Sequence, residues 1–132
     1  DGRVTIDDAG LGRMASTKKS YIGSAMRKRG VLSSEDREKL VGFFPVNKNE
    51  TFDAGTLVCE ENHIEGFGIG RITSVTHSPE LGHWIGIGFI RGGAEKWKNK
   101  TVIGSDPVRN KQMEIQVVSP HMIDPEGQRM HA

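Results

Sequence analysis

Six short runs of β-branched and apolar residues, each closed by turn-forming residues, constrain the fold of this chain more than any other feature. They cover residues 40–44, 56–60, 67–76, 84–91, 100–103 and 108–118. Runs of this length at this spacing suit strands and are too short for core helices. The last run alternates most cleanly: Met113, Ile115 and Val117 are expected to face a core, with Glu114 and Gln116 facing water. In residues 84–89, Ile85, Ile87 and Phe89 alternate with Gly86 and Gly88, so one face of that strand carries almost no side chain. A bare face of this kind predicts a backbone or a ring packed against it. The same pattern in Phe67, Gly68, Ile69 and Gly70 is followed by a phase shift at Ile72, which predicts a bulge near Gly70.

Pro79 with Gly82, Gly92 with Gly93, and Asp106 with Pro107 supply the turns. Seventeen glycines and 6% aromatic residues in 132 residues agree with close-packed strands and argue against a helical bundle. The fold class expected is mostly β, a six-stranded barrel-like domain. Before it, residues 1–17 show no periodicity and read as a connector. Residues 18–38 read as a helical segment. Tyr21, Ile22, Ala25 and Met26 fall at helical spacing, Arg27, Lys28 and Arg29 crowd the last turn, and Gly30 stops the helix. Ser33 or Ser34 is expected to cap a further short turn running through Glu38. Residues 39–132 form the barrel domain, one core being all that this length supports.

Eighteen basic against seventeen acidic residues give a net charge of +1, so no global field would gather nucleic acid or an anionic membrane. A single cysteine, Cys59, excludes an internal disulfide, and no apolar run approaches the roughly 18 residues that span a bilayer. A cytoplasmic setting is expected. The chain opens at Asp1 on a polar stretch and reads as a fragment of something longer.

His63, His77, His83, His121 and His131 show no close ligand spacing, which argues against a zinc site. His77 and His83 flank the turn at residues 78–81 and read as ordinary turn histidines. Cys59 reads as a buried structural thiol and not as a nucleophile. The glycines of residues 66–70 lack the preceding strand, following helix and lysine of a phosphate-binding loop. The acidic pairs Asp7–Asp8, Glu35–Asp36 and Glu60–Glu61 mark no general acid or base, and no catalytic residue is assigned. The basic stretch of residues 18–29 admits three readings: a solvated helix face, a phosphate-contacting surface on which Tyr21 stacks on a base, or a docking surface for an acidic partner subunit with Tyr21, Ile22 and Met26 as anchors.

Residues 70–90, with Gly70, Thr73, Ser74, Ser78, Pro79, Leu81 and Gly88 as key positions, resemble a strand, turn and strand of the C-terminal barrel in the glycine-cleavage aminomethyltransferase (T-protein) family. Asp1-Gly2, Val4-Thr5 and Asp8-Ala9-Gly10-Leu11 resemble that family's connector, and Lys18-Lys19-Ser20-Tyr21-Ile22-Gly23 its entry to the following helix. Val117-Val118-Ser119-Pro120, followed by Asp124-Pro125-Glu126-Gly127, is similar to the tails of sarcosine oxidase alpha subunits within it. The sequence departs from the family at Ile6, where a proline is expected, and at His77.

The resemblance implies a larger parent that binds tetrahydrofolate and passes to it the one-carbon unit of sarcosine. NAD and the flavins FAD and FMN would reside elsewhere in a hetero-oligomeric complex. It implies that this piece is structural or accessory, with most folate contacts upstream, and that its partners are the other oxidase subunits, not nucleic acid or membrane. By family location Arg109 is the candidate for the folate tail carboxylates, since arginine pairs with carboxylate through two parallel hydrogen bonds. Arg71 and His77 are further candidates for that duty. The alternatives are an aminomethyltransferase of the glycine-cleavage system and a non-enzymatic binding module.

Overall fold

The computed structural model describes residues 3–61, 66–98 and 100–131. Asp1, Gly2 and His63 lie outside the described residues. Six antiparallel strands close into a barrel: β1 (Glu38–Pro45), β2 (Leu57–Cys59), β3 (Gly70–Ser78), β4 (His83–Arg91), β5 (Thr101–Asp106) and β6 (Lys111–Val118). Their order around the barrel is β1-β4-β3-β2-β5-β6, each strand bonded to two neighbours. Closure leaves no long unpaired edge.

The alternation of β6 is realised, with Met113, Ile115 and Val117 buried and Glu114 and Gln116 exposed. These residues meet Val41 and Phe43 of β1, Val58 of β2, Ile72 of β3, Ile90 of β4 and Val102 of β5 in a single core. Phe52, from the long β1–β2 connection, is also fully buried there. The bare face of β4 is the inward one. A Cβ on Gly86 would lie 2.6 Å from the Phe52 ring, and one on Gly88 would overlap the Arg71 carbonyl. The ring and the backbone expected against this face are therefore both present, and Ile85, Ile87 and Phe89 point outward, half-buried.

Several boundaries differ from the sequence reading. The helix expected over residues 18–29 is one α-helical turn, α1 (Ser24–Arg27), entered through Gly23 at a φ of 90°. Its residues bury nothing, so the helical spacing of Tyr21, Ile22, Ala25 and Met26 has no core to pack against. The turn expected through Glu38 ends earlier because β1 begins at Glu38, which pairs with Arg91. The bulge lies between Ile72 and Ser74, not at Gly70. Strand β6 begins at Lys111, because Pro107 lacks an N–H and the Asp106 carboxylate accepts the backbone N–H of Val108 and of Arg109, each at 3.1 Å. Asn110, at a φ of 50°, completes that turn.

One helix was not expected. Gly92 and Gly93, both at positive φ, lead into α2 (Gly93–Trp97). Trp97 is buried against the barrel with its indole Nε1 donating to the Arg91 carbonyl at 2.8 Å. Among the described residues, no helix is long and apolar enough to cross a membrane.

Candidate functional site

The connector is pinned to the barrel through a carboxylate. Asp8 is 3% exposed. It accepts hydrogen bonds from Arg37 Nη2 at 2.6 Å, Arg37 Nε at 3.0 Å and the Thr5 backbone N–H at 2.8 Å. Its own N–H donates to Thr5 Oγ1, and its carbonyl accepts from the Leu40 N–H of β1 at 2.7 Å. Burial works to raise the Asp8 carboxyl, but the hydrogen bonds from Arg37 and Thr5 outweigh it and hold the group below its ordinary value. Asp7 is lowered chiefly by its hydrogen bonds from Arg27, which span residues 7 and 27 at 2.6 Å through Nη2. These acids are spent on charge-assisted bonds that orient the connector.

Asp106 plays the corresponding part at the β5–β6 turn. Besides capping two backbone N–H groups it receives Arg109 Nη1 at 2.6 Å, and the Arg109 hydrogen bond is the main cause of its lowered pKa. The sequence reading placed a turn at Asp106 and Pro107, as found, but not the ion pair of Asp106 with Arg109 three residues on. The Asp8–Arg37 pair had no local signal, its members standing 29 residues apart.

The three folate-tail candidates do not converge. Arg71, at the start of β3, donates through Nη1 to Glu38 at 2.6 Å and sits 5.5 Å from the Phe89 ring centroid. It lines a groove of about 530 Å³ with Arg3, Arg37 and Glu38. His77, near the other end of the same strand, is exposed and stands edge-on to Trp84 with centroids 6.0 Å apart. Arg109 occupies a turn and not a strand, and its Nε lies 4.0 Å from Asp53. It adjoins, without lining, a groove of about 380 Å³ formed by Leu57, Ser105, Pro107 and Lys111. Both guanidiniums hold a carboxylate of this chain.

The other candidates are structural. His83 is buried, its Nδ1 2.8 Å from the Trp84 carbonyl and its ring edge-on to Phe44 at 4.8 Å. Cys59 is buried in β2, and burial raises its thiol. Gly68 and Gly70, the latter the first residue of β3, sit where a Cβ would strike the backbone of β2 and β4 respectively. Among the described residues, no three of His, Cys, Asp and Glu lie together as metal ligands.

A closed six-stranded barrel with these turns has a counterpart among known families. Residues 38–124, from the first residue of β1 past the end of β6, match the glycine cleavage T-protein C-terminal barrel domain. The chain belongs to this family. It is also similar to proteins named sarcosine oxidase subunit alpha. The identity is 26% over 134 aligned residues to the one from Rhizobium meliloti (strain 1021), covering 99% of this chain and 14% of that protein. It is 29% over 133 residues to that of Corynebacterium sp. (strain U-96), covering 98% of this chain and 14% of that protein. The same identity is found with that of Corynebacterium sp. (strain P-1), of which 13% is covered. The chain thus spans about one seventh of the length of these relatives, and the T-protein barrel accounts for all six of its strands.

Proposed function

We propose that this chain is the barrel module of a sarcosine oxidase alpha subunit whose complete form oxidises the N-methyl group of sarcosine and passes the carbon to tetrahydrofolate. The observation that carries the reading is the extent of the likeness: the three alpha subunits align with 98–99% of the chain, including the connector and tail that the T-protein barrel itself does not cover. NAD, FAD and FMN would be held by other parts of the complex, and the partners of this subunit would be the remaining oxidase subunits in a cytoplasmic assembly.

In this reading the barrel is an accessory element. The grooves lined by Arg71 and by the lysines of residues 18–28 carry cationic groups, and no step of the transfer is assigned to its residues. Tetrahydrofolate, when bound to the complete protein, would supply the nucleophile that accepts the one-carbon unit. This chain's contribution is a fixed wall, held in orientation by the Asp8–Arg37 pair, with Arg109 as the group nearest in character to a carboxylate receptor. An incoming carboxylate would have to displace Asp106 from the Arg109 guanidinium.

The alternative, an aminomethyltransferase of the glycine-cleavage system, shares the barrel, as the family's name states. A substrate panel separates the two readings. The complete protein, assayed with its companion subunits, is expected to consume oxygen with sarcosine. Oxygen uptake that stays at background, with activity appearing only on an aminomethylated carrier protein, would replace the proposed reading with the alternative.

A further inference from the structure

The chain leaves β6 at Val118 and folds back onto the barrel. Gly42 of β1 stands between the core residues Val41 and Phe43, so by strand alternation it faces outward, yet it is buried. The tail covers it. A Cβ added at Gly42 would lie 2.7 Å from the Ser119 carbonyl oxygen, 2.9 Å from Cγ2 of Val118 and 3.1 Å from Sδ of Met122. Further along, Arg129 Nη2 donates to Glu80 at 2.6 Å, in the turn that joins β3 to β4. The strands concerned are neighbours around the barrel in the order β6-β1-β4-β3. Residues 119–130 therefore start at the end of β6, seat on β1 and are tied beyond β4, bridging all four strands.

The bonds within this segment differ from those that attach it. Its own fold is a knot around Asp124, which stands at a φ of 46°. The Asp124 carboxylate accepts the backbone N–H of Gln128 at 2.8 Å and of Arg129 at 3.0 Å, and its carbonyl accepts that of Gly127 at 3.0 Å. These bonds preshape the 3-10 turn Gln128–His131. Attachment to the barrel is slighter. Among the described residues, no backbone hydrogen bond joins residues 120–130 to a strand. Met122 rests against a glycine, and the side chains of the Arg129–Glu80 pair are 65% and 51% exposed. An ion pair so exposed holds weakly and is screened by salt.

We propose that residues 119–130 are a releasable strap, a preformed unit that lifts from β1 and from the β3–β4 turn while the barrel stays closed, uncovering the outer face of β1 at Gly42. Salt and loss of the Arg129–Glu80 tie favour release, and seating requires a glycine at position 42. Segments with few attachments open in this way at a lower free energy than the fold as a whole. The match to the T-protein barrel ends at residue 124, so the tie at Arg129 lies beyond the shared domain and belongs to this chain's own tail. The strap is independent of the reading of the parent protein as an oxidase.

Three methionines supply the test. Hydrogen peroxide transfers one oxygen atom to a thioether sulfur that it can reach, leaving the sulfoxide and water. Met130 is 85% exposed and reports free access, Met113 is 7% exposed in the core and reports opening of the barrel, and Met122, half-buried, reports the strap. The 132-residue chain is treated with dilute peroxide and each site is followed by peptide mass spectrometry. Met122 should react more slowly than Met130 and faster than Met113. Arg129→Ala should raise the Met122 rate roughly two- to fivefold, the weight of an exposed ion pair, with Met113 unchanged. High salt should do the same to the parent chain and add nothing to Arg129→Ala. Gly42→Ala, whose new carbon strikes the Ser119 carbonyl, should bring Met122 close to the Met130 rate. In Arg129→Ala the amides of residues 128 and 129 should keep their protection from hydrogen exchange, because Asp124 lifts with them. Met122 that reacts only in step with Met113, a Met122 rate indifferent to Arg129→Ala and to salt, or loss of amide protection at residues 128 and 129 in that variant would each overturn the proposal. Should Gly42→Ala expose Met113 as well, the Arg129→Ala and salt measurements decide alone.

Discussion

Replacing Gly86 with alanine tests how the barrel is filled, because the added carbon has nowhere to go. It would stand 2.6 Å from Cε2 and 3.2 Å from Cζ of Phe52, and 3.1 Å from Cγ2 of Ile72, both neighbours being fully buried. Carbon atoms rest about 3.5–4.0 Å apart, so the Phe52 ring must retreat by about 1 Å in a close-packed interior. Overpacking of this kind costs about 1–3 kcal/mol. Alanine recovers about 0.4–1 kcal/mol by restricting the unfolded chain. The net expectation is a loss of about 1–2 kcal/mol, or a melting temperature lower by about 4–8 °C for a chain of this size. Thermal and urea unfolding of the 132-residue chain, followed by circular dichroism and tryptophan fluorescence, measures it. The decisive arm is the double variant with Phe52→Leu, which trims the ring. If the ring is the obstacle, the double variant is more stable than the sum of the single losses predicts, by about 1 kcal/mol of coupling. A Gly86→Ala protein as stable as its parent, or losses that simply add, would refute this account of the interior.

Gly88→Ala should behave differently, with a larger loss that Phe52→Leu does not relieve, because the obstacle there is the Arg71 carbonyl of the neighbouring strand. Ile115→Ala, at a fully buried position of β6, should cost about 2–5 kcal/mol in the same unfolding measurements. Asp8 gives a pH dependence. Its folded pKa lies below the unfolded value of about 3.9, so the stabilisation is complete above about pH 4 and is lost as pH falls through the lowered value. Limited acid proteolysis should therefore release the connector in that window, and Asp8→Asn should expose it to protease already at pH 7. Cys59 should react with a thiol reagent only as fast as the barrel opens, since burial both hides the sulfur and raises its pKa; labelling at an exposed-thiol rate in native buffer would contradict its placement.

The barrel was legible in the sequence where strand period and burial agree. Met113, Ile115 and Val117 alternate because one side of β6 is wet, and Gly86 and Gly88 are small because a ring and a carbonyl occupy the space that side chains would take. The helical reading of residues 18–29 overreached because apolar side chains at helical spacing stabilise a helix only where a face is buried, whereas Ile22 and Met26 are exposed. Helix α2 escaped notice because five residues hold too little pattern to see, and its stability comes from the burial of Trp97, a tertiary effect. The pairing of Asp8 with Arg37 was invisible for the same reason, being a contact made only once the barrel has closed. Arg109 was placed on a strand because the Asp106 carboxylate's hold on the turn cannot be read from strand propensity.

Carbon tracing tests the functional account most directly. The complete protein with its companion subunits would be supplied with sarcosine carrying ¹³C in the N-methyl group, with and without tetrahydrofolate, and the label followed by NMR. With the folate present the label should pass into methylenetetrahydrofolate at the expense of formaldehyde. Formaldehyde that accumulates equally in both samples, or label that never leaves sarcosine, would contradict it.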